Sequence, residues 1–350
     1  MKHISSKVKA EKLLGKEIKK IDIAGAAVCV ESGNGSFSWS GSAGNLTKDR
    51  PFFIASVTKL YTTAAVLILQ EKGLLQLEDP VSRHIDSAVL DGIHRFHGKD
   101  YTHAITVRQL MAHTSGLPDY FQQRGSDGKS LQSKLLAGHD QDWTFEQVMD
   151  WTRGMKPHFV PGQTGKARYS DSNFQLLGRI IENRMEQRLS DAFRAMIFDP
   201  LGLQNTFLYE DSKDQRPAPL YYKKKPLQIP LAMSSFGPDG GIVSTAGEMM
   251  VFLRAFFEGR LFSKERLPEL YAWNKIFFPL EYGVGLARFK LPRLFTPLKE
   301  MPELLGHSGL SGAFVYYCPA KDLYMAGTLN ETAHPSMPYR LMVKLLHALP

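Results

Sequence analysis

The chain has 350 residues, of which 43% are hydrophobic and 22% are charged, a composition typical of globular proteins. Disorder, collagen-like repeats and a long coiled coil are thereby excluded, and the length suits about two lobes at ~150 residues per domain. Lys and Arg outnumber Asp and Glu by 43 to 35, which gives a formal charge of +8. Residues 1–20 contribute +5 of this charge, so a uniformly basic nucleic-acid-binding surface is not expected.

The cysteine content and the first hydrophobic segment indicate the cellular compartment in which the protein is expected. Two cysteines, Cys29 and Cys318, exclude a disulfide-rich secreted scaffold, and both are expected as buried thiols. No run approaches the ~18–20 apolar residues of a membrane span. The apolar stretch 23–30 follows 22 residues and precedes Glu31, which does not fit a cleaved signal peptide. A cytoplasmic location is therefore expected.

The first third of the chain predicts a helix, a hairpin and a buried helix. Residues 7–20 alternate Lys and Glu with apolar residues, which indicates an amphipathic helix. Strands are predicted at 26–31 and 36–40, because the Asn34-Gly35 pair between them is typical of a hairpin turn. From Ser56 the apolar spacing becomes helical and continues to Gly73.

The rest of the chain places helices in the middle and strands again near the end. Further helices are predicted at 107–113, 144–153, 174–184, 189–197, 246–257 and 337–347, and strands at 312–318 and 323–328. We expect an α+β fold: one antiparallel sheet built from both chain termini and flanked by helices, with an inserted, mainly helical lobe. A single domain, 1–350, would comprise an α/β lobe (1–58 and 235–350) and a helical lobe (59–234).

Ser56-Val57-Thr58-Lys59 is the first candidate for chemistry. Residues three apart share one helix face, so Lys59 could hydrogen-bond the Ser56 hydroxyl. If burial lowers the lysine pKa, the amine could accept the hydroxyl proton. The apolar residues on both sides of this segment provide such a setting. The alternative is a serine that caps the helix and a solvated lysine.

Two later segments could complete a site. Tyr169-Ser170-Asp171 opens an apolar helix, and a lysine ammonium nearby would lower the tyrosine pKa and let it act as a general base and acid. The alternative is a core tyrosine with Asp171 as the helix cap. His307-Ser308-Gly309 leads into a strand whose backbone N–H groups could face an oxyanion, with the histidine bound to substrate. The alternative is a plain turn before a strand.

The surroundings of these motifs resemble the serine β-lactamase and penicillin-binding superfamily, in its class C β-lactamase and D-alanyl-D-alanine carboxypeptidase branch, which includes related esterases. The resemblance covers about residues 20–345. It is carried by FFIASVTKLYTTAAVLILQEKGLLQLEDPVSRHI (52–85), ITVRQLMAHTSGLPDY (105–120), FVPGQTGKARYSDSNFQLLGRIIE (159–182), DPLGLQNTFL (199–208), GGIVSTAGEMMVFL (240–253) and HSGLSGAFVYY (307–317).

The resemblance implies roles for individual residues. Ser56 matches the acylated nucleophile, Lys59 its lysine partner and Tyr169 the tyrosine that shuttles protons. The family's oxyanion hole would fall on the backbone N–H groups of Ser56 and Leu310. His307 stands where class C lactamases carry a lysine, which weakens the expectation of β-lactam hydrolysis.

Asp171 departs from the family pattern, which usually has Asn at this position. An ionised carboxylate only accepts hydrogen bonds, would favour a charged Lys59 and could pair with a cationic substrate group. Together with His307, Ser308 and Leu310, it is a candidate substrate-binding residue.

The sequence thus predicts a serine hydrolase that forms an acyl-enzyme on Ser56. Its expected partner is a small ester, amide or peptide, with weak or no β-lactamase activity, no nucleic acid, no cofactor and no metal. The alternatives are a catalytically inactive binding or scaffold protein on this fold, and an acyltransferase of the same mechanism. The basic N-terminal helix would be a solvated face, and its contact with an anionic membrane surface is left open.

Overall fold

The computed structural model describes residues 2–21, 23–125, 127–295 and 301–349. Within these ranges the α-helices, numbered α1–α11, are Lys2–Ile21, Thr58–Glu71, Ser87–Leu90, Val107–Met111, Leu131–Leu136, Phe145–Gly154, Asp171–Met185, Leu189–Phe193, Pro230–Ser235, Ala246–Glu258 and Met337–Ala348. A π-helical turn, Arg194–Phe198, continues α8. The predicted helices are therefore present, with ends that shift by a few residues.

The strands, numbered β1–β15, are Gly25–Ser32, Ser38–Gly44, Phe52–Phe53, Arg95–Phe96, Lys99–Asp100, Phe207–Leu208, Leu220–Tyr222, Lys225–Leu227, Ile242–Ser244, Asn274–Phe277, Leu280–Tyr282, Ala287–Phe289, Leu304–Ser308, Ala313–Cys318 and Leu323–Thr328. Eight of them form the main sheet in the order β10-β11-β12-β13-β14-β15-β1-β2, and every pairing is antiparallel. Three others, β3, β9 and β6, form a small second sheet.

The main sheet joins the two ends of the chain, as the sequence predicts. Strand β1 lies between β15 and β2, with Ala27 opposite Thr328 on one side and Ser42 on the other. The β1–β2 connection spans residues 33–37, longer than a two-residue hairpin turn. Strands β10, β11 and β12 extend the sheet at the other edge, and the sequence analysis missed them.

Both faces of the central strands are buried, which explains their nearly continuous apolar sequences. Because side chains alternate along a strand, Val28 and Val30 join α1 and α11 in one hydrophobic cluster. Their neighbours Ala27 and Cys29 join the larger cluster on the opposite face, which also contains residues of α2, α7 and α10. The sheet is thus the middle layer between the terminal helices and the rest of the chain.

Helix α2, which begins directly after Ser56 and contains Lys59, lies in the hydrophobic core. Each residue from Thr58 to Leu69 is buried, and the helix packs against α7. Its start therefore lies where the main sheet, α7 and the 237–239 turn meet. None of the described helices is long and apolar enough to cross a membrane.

Candidate active site

Ser56 sits in a short 3-10 turn, Ala55–Val57, directly before α2. Ala55 has a positive φ of 46°, a conformation that is costly for a residue with a side chain and that recurs at functional sites. The Ser56 Oγ atom accepts a hydrogen bond from the Lys59 ammonium at 3.2 Å. The local alternative of a capping serine with a solvated lysine is therefore wrong.

Gly309 allows the end of β13 to reach this turn. A Cβ atom at position 309 would lie 2.3 Å from the Ile54 carbonyl oxygen and 3.1 Å from the Ser56 nitrogen. Only glycine fits such a close backbone approach. The following residue, Leu310, lines the same cavity as Ser56. This arrangement suits the expected oxyanion hole of the Ser56 and Leu310 N–H groups, which stays a prediction.

Lys59 is completely buried, with 0% exposure, and its ammonium has three partners. The Nζ atom donates to the Asp239 carbonyl oxygen at 2.6 Å and to Ser56, and it lies 2.5 Å from Asp171 Oδ1. Burial lowers the pKa of Lys59, yet the negative charges of Asp171 and Asp239 outweigh burial and leave that pKa above its ordinary value. The condition that burial lowers the lysine pKa is therefore not met, whereas the charged Lys59 expected beside an Asp171 carboxylate agrees with this direction.

Tyr169 lies beside both residues. Its hydroxyl hydrogen-bonds with Ser56, and its ring centroid is 5.1 Å from Lys59 Nζ. Burial and the negative charge of Asp171 hold the pKa of Tyr169 well above its ordinary value. The predicted lowering of this pKa is wrong, because the carboxylate and the apolar surroundings exceed the effect of the lysine. At rest, both the lysine and the tyrosine carry their protons.

Asp171 begins α7 but does not cap it. Ser170 occupies the N-cap position, and its hydroxyl donates to the Pro118 carbonyl oxygen at 2.8 Å. The Asp171 carboxylate is only 4% exposed and faces Lys59, while its backbone N–H donates to Asp119 Oδ1 at 3.2 Å. The interpretation of Asp171 as a helix cap is therefore wrong, and the predicted pairing with a charged lysine agrees with the geometry.

Two further buried carboxyls, Asp119 and Asp239, complete this cluster. Burial and the charge of Asp171 raise the pKa of Asp119 well above its ordinary value. The same two causes raise the pKa of Asp239 to about 7, although Tyr120 and Gln175 each donate to its Oδ2 atom at 2.9 Å. Neither residue was predicted from the sequence, because a Pro-Asp pair in a loop is an ordinary turn signal.

His307 and Ser308 come close to the site, but their polar atoms bind protein groups. The His307 Nδ1–H donates to the Ser308 carbonyl oxygen at 2.9 Å, so its Nε2 accepts from the Tyr282 hydroxyl at 2.9 Å. Burial, together with the charge of Lys59, lowers the pKa of His307 to about 3. The Ser308 hydroxyl pairs with that of Tyr339. Neither His307 nor Ser308 is among the described residues that line the cavity.

Tyr282 and His113 are further residues that the sequence analysis missed. The His113 ring packs against Tyr169 and Tyr282, with centroids 4.4 and 4.5 Å apart. Its Nδ1 atom accepts from the Ser170 backbone N–H at 3.2 Å. Burial and the charge of Lys59 hold the pKa of His113 well below its ordinary value. These rings form an uncharged wall that fixes Tyr169 beside Lys59.

A cavity opens in front of Ser56 and encloses about 680 Å³, counting its mouth. Most of its wall is apolar, with side chains from α5, α9 and the β7–β8 hairpin. Asp171 and Asp239 also line it, and no Lys, Arg or His is among the described lining residues. The described lining residues are Ala55, Ser56, Phe121, Gln132, Leu135, Leu136, Asp171, Leu220, Leu227, Ile229, Met233, Phe236, Asp239, Gly240, Leu310, Ser311 and Thr332.

Within the described ranges, no group of three or more His, Cys, Asp or Glu residues is arranged to hold a metal ion.

Comparisons with known proteins identify the family of this chain. A family model described as Beta-lactamase matches residues 10–349. Penicillin-binding protein 4* of Bacillus subtilis (strain 168) is 28% identical over 197 residues, which are 55% of this chain and 39% of that protein. The matches to the first curated relatives cover between 27% and 63% of those proteins' own length.

Two solved structures share the fold over almost the whole chain. A D-stereospecific amidohydrolase from Streptomyces sp. is 26% identical with a TM-score of 0.75, and the match covers 99% of this chain and 98% of that one. The D-amino acid amidase from Ochrobactrum anthropi SV3 is 22% identical with a TM-score of 0.78, over 97% and 100% of the two chains. The chain therefore belongs to the Beta-lactamase family, within the serine β-lactamase and penicillin-binding superfamily.

Proposed function

We propose that this protein hydrolyses small amides and esters of D-amino acids through an acyl-enzyme on Ser56. The single observation that carries the proposal is the position of the Ser56 hydroxyl. It contacts the Lys59 ammonium and the Tyr169 hydroxyl, and it faces a largely apolar cavity. A nucleophile, two proton carriers and a cavity for an acyl group are the components that covalent acyl transfer requires.

The proposed reaction has two steps. In acylation, Ser56 Oγ bonds to the acyl carbon, Lys59 in its unprotonated form accepts the hydroxyl proton, and the proton passes to the leaving amine or alkoxide with Tyr169 as carrier. In deacylation, the oxygen of water bonds to the ester carbon, the bond between that carbon and Ser56 Oγ breaks, and Oγ regains a proton from the water as the carboxylic acid leaves. The oxyanion would be held by the N–H groups of Ser56 and Leu310, an effect usually worth ~10²–10³ in rate per donor.

The charges around the cavity favour amides and esters over β-lactams and peptides with a free carboxylate. The described lining residues include two carboxyls and no basic group, and His307 is neutral because its pKa is lowered to about 3. A substrate carboxylate would meet no cation there and would be repelled by Asp171. The similarity to the D-stereospecific amidohydrolase supports an amide substrate and the D configuration.

Covalent labelling tests the nucleophile. Wild-type protein and the Ser56→Ala variant are incubated with a fluorophosphonate and, separately, with a penicillin, and intact masses are measured. We expect a fluorophosphonate adduct on the wild type and on a Ser87→Ala control, which changes an exposed serine of α3, and none on Ser56→Ala. A wild type that takes up neither reagent would refute the proposed mechanism and favour an inactive binding protein.

Turnover tests the substrate class. Purified protein is assayed with p-nitrophenyl esters, with p-nitroanilides of D- and L-amino acids, and with nitrocefin. We expect the D-amino-acid substrates to be hydrolysed and nitrocefin to be cleaved slowly or not at all. Efficient cleavage of nitrocefin together with inert anilides would refute the assignment to D-amino-acid substrates while leaving Ser56 acylation intact.

A further inference from the structure

The buried acidic and basic groups beside Ser56 are unequal in number. Lys59 is surrounded by the carboxyls of Asp119, Asp171 and Asp239, so acidic groups outnumber it three to one. Two of these carboxyls respond by taking up protons more readily, as their raised pKa values show. Burying unpaired carboxylates is costly, which makes the cluster favourable for a second cation.

The wall of the cavity shows where such a cation would be bound. Asp171 and Asp239 are the charged residues among the described lining residues, and both belong to the cluster around Lys59. The Ser311 hydroxyl is an independent indication. This side chain is only 2% exposed and lines the same cavity, and its Oγ atom has no hydrogen-bond partner in the described part of the chain. A buried hydroxyl without a partner is rare, and it suits a site completed by a ligand.

We propose that the substrate carries a free ammonium group beside its scissile carbonyl, that Asp171 and Asp239 bind this group, and that its binding also turns Lys59 into the base that accepts the Ser56 proton. The inference rests on the acyl-enzyme mechanism proposed above and names the substrate class as esters and amides of amino acids with an unblocked amine. The apolar part of the cavity would receive the amino-acid side chain.

The second part of the proposal follows from the contact between Lys59 and Asp171. Their 2.5 Å ion pair stabilises the protonated lysine, so only a small fraction of the resting protein has a lysine that can take the proton of Ser56. A substrate ammonium beside Asp171 offsets the carboxylate charge that stabilises this state. Lys59 then releases one proton to solvent, and its free amine accepts the Ser56 proton as Oγ bonds to the acyl carbon. An uncharged substrate or probe would leave most Lys59 protonated, so it would react with Ser56 slowly rather than not at all.

The titratable groups that face Lys59 determine how its protonation responds to a bound ammonium group. Within the described ranges, the neighbouring titratable and charged groups are Asp119, Asp171, Asp239, Tyr169, Tyr282, His113 and His307. The two histidines are neutral because burial and Lys59 lower their pKa values, and the two tyrosines are neutral because burial raises theirs. The carboxyls are therefore the groups that an incoming ammonium would affect.

Matched substrates test the proposal on the unaltered protein. D-Phenylalanine p-nitroanilide and 3-phenylpropionic acid p-nitroanilide differ only by the amine, and N-acetyl-D-phenylalanine p-nitroanilide keeps the nitrogen without its charge. We expect kcat/KM to fall at least about a hundredfold for both uncharged compounds, with a loss in kcat as well as a rise in KM. Rates within threefold of each other would overturn the proposal. Fluorophosphonate labelling of Ser56 in the same preparation shows separately whether the nucleophile works.

The Asp171→Asn variant tests the assigned residue. We expect the preference for the amine-bearing substrate to shrink below about tenfold, while kcat for the des-amino anilide rises because Lys59 loses the carboxylate that keeps it protonated. A merely structural role would lower both rates together and leave their ratio unchanged, and that result would overturn the assignment. The control is Asp150→Asn, which removes the same charge from an exposed position on α6 and should keep the wild-type ratio.

Discussion

Replacing Lys59 with Met should destabilise the protein in a way that depends on pH. Methionine fills the space of the lysine stem but removes the cation that faces Asp171 at 2.5 Å, at a site where the lysine is fully buried. Loss of one partner of a buried pair typically costs ~3–5 kcal/mol. The carboxyl can escape this cost only by taking up a proton, and protonating a carboxyl of ordinary pKa at pH 7 costs about 4 kcal/mol. We therefore expect a loss of about 4 kcal/mol at pH 7.

The sign of the pH effect follows from proton binding. Asp119 and Asp239 have raised pKa values in the folded wild type, and the folded Lys59→Met protein takes up one further proton in this carboxyl cluster. Its stability relative to the wild type therefore falls as pH rises above the ordinary carboxyl pKa. At pH 5 the same protonation costs only about 1.5 kcal/mol, so the difference from the wild type should shrink. Guanidinium chloride unfolding of both proteins at pH 5 and pH 7, followed by tryptophan fluorescence, measures this difference.

A second substitution and a surface control make the test specific. The double variant Lys59→Met/Asp171→Asn removes both charges, so it should regain most of the lost stability at pH 7. Lys134→Met, which breaks an exposed pair with Asp127, should cost less than about 1 kcal/mol. The reasoning is refuted if Lys59→Met stays within 1 kcal/mol of the wild type at pH 7, or if the double variant is no more stable than the single one.

Three further predictions concern the surroundings of Ser56. Gly309→Ala places a Cβ atom 2.3 Å from the Ile54 carbonyl oxygen and should slow fluorophosphonate labelling of Ser56 by at least ~10²-fold. An unchanged labelling rate would show that the close contact between Gly309 and the Ser56 turn is not needed for reaction. Tyr282→Phe removes the hydroxyl that donates to His307 Nε2 and should cost about 0.5–1.5 kcal/mol in urea unfolding, whereas no loss would mean that the hydrogen bond contributes nothing. His307 has a pKa near 3, so its imidazole NMR signals should not titrate between pH 5 and 8. In the unfolded chain this imidazole takes up a proton below about pH 6.5, whereas in the folded protein it stays neutral down to about pH 3. The free energy of unfolding should therefore decrease as pH falls from 6.5 toward 3, and His307→Gln should reduce that decrease.

The fold was predictable from local patterns wherever an element is long or strongly apolar. Strands β1, β14 and β15 alternate between two buried faces, and α2 contains the continuous apolar run 64–69, so each is recognisable by itself. Strands β10–β12 were missed because each has only three or four residues and a mixed polar sequence. Such strands form because β13 offers an edge to pair with, which is a tertiary property.

The sequence by itself determined the family, the sheet built from both termini, and the motifs around Ser56, Lys59 and Tyr169. Ordered blocks of residues and helical spacing are local properties that the chain carries without folding. Only the tertiary structure decided the charge state of the site, because a pKa depends on which groups lie within a few ångströms. Asp119, Asp171 and Asp239 lie up to 120 positions apart in the sequence, and folding places them around one lysine. That juxtaposition keeps Lys59 charged, as expected beside an Asp171 carboxylate, and reverses the predicted direction of the Tyr169 pKa shift.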